Sequence, residues 1–237
     1  IALRENGRLV SYRAERHRAS SVVGNFYKGR VTRVLPGMQA AFVDIGLARD
    51  AFLYIREAGG LLDDYTDIFS AVEPLTEAPD LSGSQSGDLI RAGQEVLVQV
   101  VKDPLGTKGA RLTTHITLPG RFLVYLPTAR QVGVSRRIVD ADERLRLKSL
   151  IESFGGPGGW IVRTAGEGQG ESELEADRDD LVTRWRHLHE VAERSRAPSP
   201  VHRELSPVLR AVRDIFTSAV QEVWLDDEES FEEVLDF

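Results

Sequence analysis

The sequence predicts an α+β protein organised around a small β-barrel, and three observations point there. Residues 25–57, NFYKGRVTRVLPGMQAAFVDIGLARDAFLYIRE, read as three short strands separated by tight turns. Residues 95–118 read as two more strands around the turn-rich DPLGTKG. Beyond residue 140 the apolar period changes from two to about 3.6, which marks helices.

Taken in order, residues 1–20 hold one good strand, GRLVSYRAE. A strand cannot stand alone, so it is expected to pair with a distant partner, the C-terminal end among the candidates. In the barrel segment, Pro36-Gly37 punctuates a turn. In QAAFVDIG that follows, Ala41, Val43 and Ile45 share one face, with Ala40, Phe42 and Asp44 on the other. Residues 59–93 read as an acidic insertion. LTEAPDLSGSQSGD is rich in Ser, Gly, Pro and acid, so a mobile segment dispensable for the fold is expected. EVLVQVV and ARLTTHITL then form the hairpin expected to close the barrel. GRFLVYLP and QVGVSRRI are read as another pair. Asp140 and Glu143 have capping-box spacing ahead of a helix with Leu147, Leu150, Ile151 and Phe154 on one face. GGPGG ends it, and the strand WIVRT runs into a Gly-rich loop. Ser172 and Glu175 repeat the capping spacing before a long helix marked by Leu174, Leu181, Trp185 and Leu188. A last helix is expected over 203–221, burying Val208, Val212, Ile215 and Phe216.

The net charge is -7 over 237 residues, which looks wrong for a nucleic-acid binder. Its distribution resolves this. Residues 59–95 carry -7 and residues 221–237 carry -8, leaving +8 for the remainder. Acidic blocks of this kind read as solvated loops or tails, and they leave room for a local basic groove. Cys is absent, so disulfides and thiolate metal sites are excluded within the chain. No run of 18 apolar residues suggests a membrane span. The absence of Cys fits a cytoplasmic chain. The first residue is Ile, and the chain reads as a piece of a longer protein.

Phe42 and Phe52 are interleaved with Lys28, Arg30, Arg33 and Arg49, a mix that suits single-stranded nucleic acid: bases stack on rings while cations hold phosphates. The competing reading makes both rings barrel core, and it is weaker for Phe42, whose neighbours already supply an apolar face. Lys108, flanked by Thr107 and Gly109 at a loop tip, could reach a backbone phosphate. Arg163-Thr164, a guanidinium fork beside a hydroxyl at a strand end, forms a good terminal-phosphate clamp; the alternative is a surface ion pair. Arg136 and Arg137 either extend an anionic track or, for Arg137, pair with Asp140. The five His are scattered and suggest no metal site, and AGEGQG is neither GxGxxG nor a P-loop.

Four blocks, residues 25–55, GTKGARLTTHITLPGRFLVYLP, VGVSRRI and WIVRTAGEG, together resemble, in order, the ribonuclease E/G family of single-strand-specific bacterial endoribonucleases. The resemblance covers nearly all residues outside 59–93. It implies an S1-type OB-fold barrel over 21–114, a 5′-sensor subdomain over 115–208, and a ribonuclease-H-like subdomain split between 1–20 and 209–237. It assigns RNA contacts to Phe42, Phe52 and Lys108, and the 5′-monophosphate pocket to Gly120, Val124, Arg163 and Thr164. The family's catalytic magnesium-binding aspartates and its zinc motif at a subunit link would lie past Phe237, so no catalytic or metal-ligating residue is expected here. The implied partners are single-stranded RNA, preferably 5′-monophosphorylated, and further copies of the full-length protein. Two other classes remain open from the residues: a non-catalytic RNA-binding module, and a protein-interaction scaffold docking through the acidic insertion.

Overall fold

The computed structural model describes residues 1–12, 14, 21–54, 90–130, 132–216 and 220–237. The expectation for the insertion falls mostly on residues 55–89, outside the described residues. Two compact units are present: residues 22–203, and the two chain ends, 1–21 with 204–237.

In the larger unit the long strand β3 (Phe26–Leu35) organises the barrel. It pairs with β4 (Ala40–Asp44) through its second half and with β6 (Glu95–Lys102) through its first half, both antiparallel. A register shift between Val31 and Arg33 interrupts its pairing with β4, and irregularities of this kind bend strands. β5 (Ala51–Tyr54) and β7 (Arg111–Thr113) complete a closed ring in the order β3-β4-β5-β7-β6-β3, with β5 and β7 parallel. The expected alternation holds in β4, where Ala41, Val43 and the following Ile45 are buried and join Tyr27, Val31, Leu53, Val98, Val100 and Leu112 in the core. Gly29 is required there: a Cβ would lie 2.5 Å from Val43 Cγ1 and 3.0 Å from Ile45 Cγ2.

A second sheet has the order β10-β11-β9-β8, formed by β8 (Leu118–Pro119), β9 (Leu123–Leu126), β10 (Val132–Val134) and β11 (Gly159–Val162). It shares a core with α1 (Ala141–Ser153) and α2 (Glu171–Arg194), centred on Leu123, Leu147, Ile151, Val162, Leu174, Leu181 and Leu188. β12 (Ser199–His202) then returns to pair with β3, joining the chain that follows α2 to the barrel.

ARLTTHITL is not one strand but β7 and β8, in different sheets. The buried Gln99 side chain accepts from Thr117 N–H at 2.9 Å and donates to Thr117 C=O at 3.1 Å, replacing the strand partner that residue would otherwise need. GRFLVYLP and QVGVSRRI do not pair with each other. β11 lies between them, because α1 provides the crossover that lets β10 run parallel to β11. Asp140 caps α1, accepting from Glu143 N–H at 2.8 Å, but the Glu143 carboxylate turns to Arg146 and Gly168 N–H, so the first capping box is only half formed. The second capping box is absent: Gly170 is the N-cap of α2, and Ser172 Oγ donates to Glu173 instead.

In the smaller unit, the first strand finds a local partner. β1 (Ala2–Glu5) and β2 (Arg8–Tyr12) form a hairpin through Asn6-Gly7, both at positive φ, a primed turn matched to strand twist. The expected helix over 203–221 is shorter, α3 (Pro207–Ile215), capped by Ser206 and ended by extended Phe216. Its buried residues are Leu209 and Arg213, the latter paired with Glu204 at 3.1 Å and Asp214 at 2.9 Å, whereas Phe216 is exposed. The acidic end is not only solvated tail. It forms α4 (Glu228–Asp236), because Asp227 accepts from Ser230 N–H at 2.9 Å and the acids of its first turn suit a helix N-terminus.

Barrel closure generates a prediction. Gly29→Ala should destabilise the chain by about 1–3 kcal/mol through overpacking. Gly37→Ala, with nothing within 4 Å of its added Cβ, should stay within about 0.5 kcal/mol. Urea unfolding midpoints measure both; equal effects would mean the barrel interior accommodates the methyl group.

Candidate functional site

The outer face of the barrel carries a row of side chains set by strand register. Arg33 on β3 lies opposite Phe42 on β4, Phe42 opposite Phe52 on β5, and Phe52 opposite Arg111 on β7. The flanking Ala41, Val43, Ala51 and Leu53 are fully buried, so strand alternation sends both phenyl rings outward. Each ring is half-buried, and neither joins the barrel core cluster. They meet edge to face at 5.7 Å, and Tyr54 adds a third ring 4.8 Å from Phe52. The Arg33 guanidinium lies over Phe42 at 5.1 Å and that of Arg111 over Tyr54 at 4.9 Å. Tyr54 and Arg111 were not singled out by sequence reasoning. The i, i+2 relation of Tyr54 to Phe52 was the available signal.

Lys108 is exposed on the loop entering β7. Reciprocal backbone bonds between Leu105 and Lys108, at 3.0 and 3.1 Å, close that loop into a tight turn. Arg49 Nη1 donates to Thr107 C=O at 2.6 Å. Gly109 packs so closely that a Cβ would sit 2.0 Å from Asp50 O. Ala110 C=O then accepts from Phe52 N–H at 2.7 Å, which fixes the loop beside the aromatic row. Among the described residues, no partner holds the Lys108 ammonium.

The second group lies where β9, β11 and α2 meet. Asp177 on α2 accepts from the backbone N–H groups of Arg121, Phe122 and Leu123 at 3.1, 2.9 and 2.8 Å. Three successive N–H groups around one carboxylate fix the conformation of the Gly120–Leu123 turn. Gly120 has no room for a side chain there, since a Cβ would meet the Asp177 carboxylate at 2.6 Å. Arg163 Nη1 donates to the Gly120 carbonyl, and its backbone N–H to Phe122 C=O at 2.8 Å. Thr164 Oγ1 and Ser135 Oγ share a hydrogen bond at 2.9 Å. Gly120, Arg163 and Thr164 are thus brought together. Val124 differs: its side chain is buried with Leu126 and Ile161 rather than facing the Arg163 group.

The loop after Thr164 is strapped to α1. Glu143 accepts from Gly168 N–H at 2.8 Å and binds Arg146 Nε and Nη2, each at 2.7 Å; Arg146 Nη2 also donates to Gln169 C=O at 2.8 Å. The Arg146 hydrogen bonds, then the Gly168 N–H, hold the Glu143 carboxyl down at about 2. Arg136 and Arg137 are exposed next to this group. The Arg137 side chain has no partner among the described residues, Asp140 being engaged as the cap of α1. Arg144 reaches past them to Ser135 C=O at 2.6 Å and Ile138 C=O at 3.1 Å, securing the turn that carries Ser135. Sequence reasoning missed Asp177, Ser135 and Arg144, whose partners are set by tertiary contacts.

No group of three or more His, Asp or Glu that could hold a metal occurs among the described residues. The magnesium and zinc implied by the resemblance therefore find no fitting ligand set among them. No described helix is long and apolar enough to cross a membrane.

A family model described as Ribonuclease E/G family matches residues 117–237. Ribonuclease G of Haemophilus influenzae is 45% identical over 240 residues, covering 100% of this chain and 47% of that protein. Ribonuclease G of Escherichia coli K12 is 42% identical over 240 residues, with the same coverage. Ribonuclease E of Haemophilus influenzae is 37% identical over 237 residues, covering 98% of this chain and 24% of that protein. The chain spans about half the length of the ribonuclease G relatives it matches.

Two outcomes follow from the geometry. Asp177→Ala leaves three N–H groups without their acceptor and should cost about 1.5–3 kcal/mol, with Asp177→Asn costing less; urea unfolding measures it. The carboxyl of Glu143 lies below its ordinary value of 4.5 in the folded chain. Its stabilising contribution is therefore complete above that ordinary value and is lost as pH falls from there toward about 2. Glu143→Gln should flatten this part of the acid-unfolding curve, and an unchanged curve would show that the brace adds no stability.

Proposed function

The chain belongs to the ribonuclease E/G family, and from that premise we propose that it is the RNA-gripping, 5′-end-reading portion of an endoribonuclease that cleaves single-stranded RNA in RNA processing and decay. The observation that carries this reading is the row Arg33–Phe42–Phe52–Arg111 on the outside of a closed barrel. Aromatic faces displayed on a rigid sheet stack any base, and cations beside them neutralise the backbone, which suits substrates read by strandedness rather than sequence. In this reading the barrel is S1-type, and Lys108 holds a backbone phosphate from its stiffened loop.

Arg163 and Thr164 bind the terminal monophosphate, aided by the Gly120 turn and the backbone at Val124. A terminal monophosphate has more charge and more free oxygens than an internal phosphodiester. A planar guanidinium fork beside a hydroxyl distinguishes the two. Asp177 and Glu143 act on this site by holding the turns on either side of it. Arg136 and Arg137 extend the basic track. Residues 115–208 then serve as the 5′ sensor, and the two chain ends as the ribonuclease-H-like subdomain. Cleavage, magnesium and zinc binding, cytoplasmic location and oligomerisation belong to the longer protein, and this chain grips without cutting. No step of the gripping described here requires a metal.

The paired test uses two variants and two RNAs of one sequence, 5′-monophosphorylated and 5′-hydroxyl, titrated at fixed salt. Arg163→Lys keeps the charge but loses the fork. It should weaken the monophosphorylated RNA by about ten- to a hundredfold and leave the hydroxyl RNA unchanged. Phe42→Ala should weaken both by about 1–3 kcal/mol. Equal weakening of both RNAs by Arg163→Lys would make Arg163 part of a general anionic track. Unchanged affinity in a folded Phe42→Ala protein would remove Phe42 from the stacking face.

A further inference from the structure

We propose that Tyr54 is a third base-stacking position on the barrel, taking the nucleobase next to those on Phe42 and Phe52 in a single-stranded RNA; this rests on the reading of that face as an RNA-binding surface. The position follows from strand geometry. Tyr54 is two residues beyond Phe52 on β5, so alternation sends it to the same outer face, and Leu53 between them is fully buried. Its ring stands edge to face with Phe52 at 4.8 Å and 82°. Phe52 stands edge to face with Phe42 at 5.7 Å and 77°. Three rings therefore follow one another across β4 and β5.

The ends of this series are alike. Arg33 lies over Phe42 and Arg111 over Tyr54, at 5.1 and 4.9 Å from the ring centroids. A guanidinium over one face of an aromatic ring holds its orientation by cation–π attraction. Tyr54 is 39% exposed as a residue, and we place the stacked base on that exposed side. A stacking tyrosine requires this exposure. Arg33 and Arg111, at the two ends, also place positive charge where the phosphates flanking the stacked bases would run.

The test is fluorescence titration of the 237-residue chain with oligouridylates of increasing length, for wild type, Tyr54→Phe, Tyr54→Leu and Phe42→Ala. Melting curves are recorded beside each. Tyr54→Leu keeps apolar bulk but removes the aromatic face. It should weaken binding about five- to a hundredfold, shorten the length at which affinity levels off by about one nucleotide, and leave the salt dependence unchanged because no phosphate contact is lost. Tyr54→Phe should bind as wild type. If Phe42→Ala weakens binding and Tyr54→Leu does not, Tyr54 is no stacking position while the RNA-binding face stands. If neither weakens it, the reading of the face fails and the proposal with it. Weakening by Tyr54→Leu with a lowered melting curve and an unchanged length dependence would make Tyr54 structural. Equal loss in Tyr54→Phe would assign the effect to the hydroxyl and also overturn the proposal.

Discussion

The closure of β3 onto β6 is the constraint on which the rest of the larger unit depends. One strand must serve β4, β6 and β12 together. It does so by being ten residues long, by a register shift between Val31 and Arg33, and by having no side chain at Gly29, where the interior is too close for one. Closure removes the sheet edges that an open sheet would expose. It also fixes the register that lines up Arg33, Phe42, Phe52 and Arg111 on the outside. A slip of one residue in β4 or β5 would turn the rings inward and the small apolar residues outward. Core packing and surface display are thus one decision made by the same strands.

The second group is organised by a different force. Asp177 gathers three backbone N–H groups from a turn more than fifty residues away in sequence. Its carboxylate fixes the turn whose Gly120 carbonyl receives the Arg163 guanidinium. On the other side, Glu143 and Arg146 hold the Gly-rich loop that follows Thr164. The aromatic row is therefore rigid through apolar packing and strand pairing, whereas the Arg163 group is rigid through charge-assisted hydrogen bonds. The same division suits their proposed tasks: sequence-tolerant stacking at one, and discrimination between phosphate charge states at the other.

Much of the barrel was legible in the sequence because alternation over Ala40–Asp44 and Ala51–Tyr54 is local information. The spacing of Leu174, Leu181 and Leu188 likewise marked α2. What was misread divides by cause. Asn6-Gly7 is a strong hairpin signal, and it gives β2 a local partner, β1, where the strand pattern alone points to a distant one. The acidity of residues 221–237 hid Asp227 as a helix cap. Non-local pairing was out of reach: nothing in β9 or β10 alone indicates that β11 inserts between them. Candidate site residues were visible where chemistry is carried by type, as for Arg163 and the two Phe. Asp177, Ser135 and Arg144 were invisible because their partners are backbone groups or a hydroxyl brought up by the fold.

In the proposed function, the barrel face and the Arg163 group are two recognition elements with different targets, one for the strand and one for its end. The most direct test is the affinity of the unaltered chain for a short unstructured RNA with a 5′-monophosphate, against the same RNA with a 5′-hydroxyl, at one salt concentration. Both should bind measurably, with the monophosphorylated RNA tighter by about ten- to a hundredfold, the worth of one charge-assisted contact. Equal affinities would contradict the reading of Arg163 and Thr164 as a sensor of the RNA end.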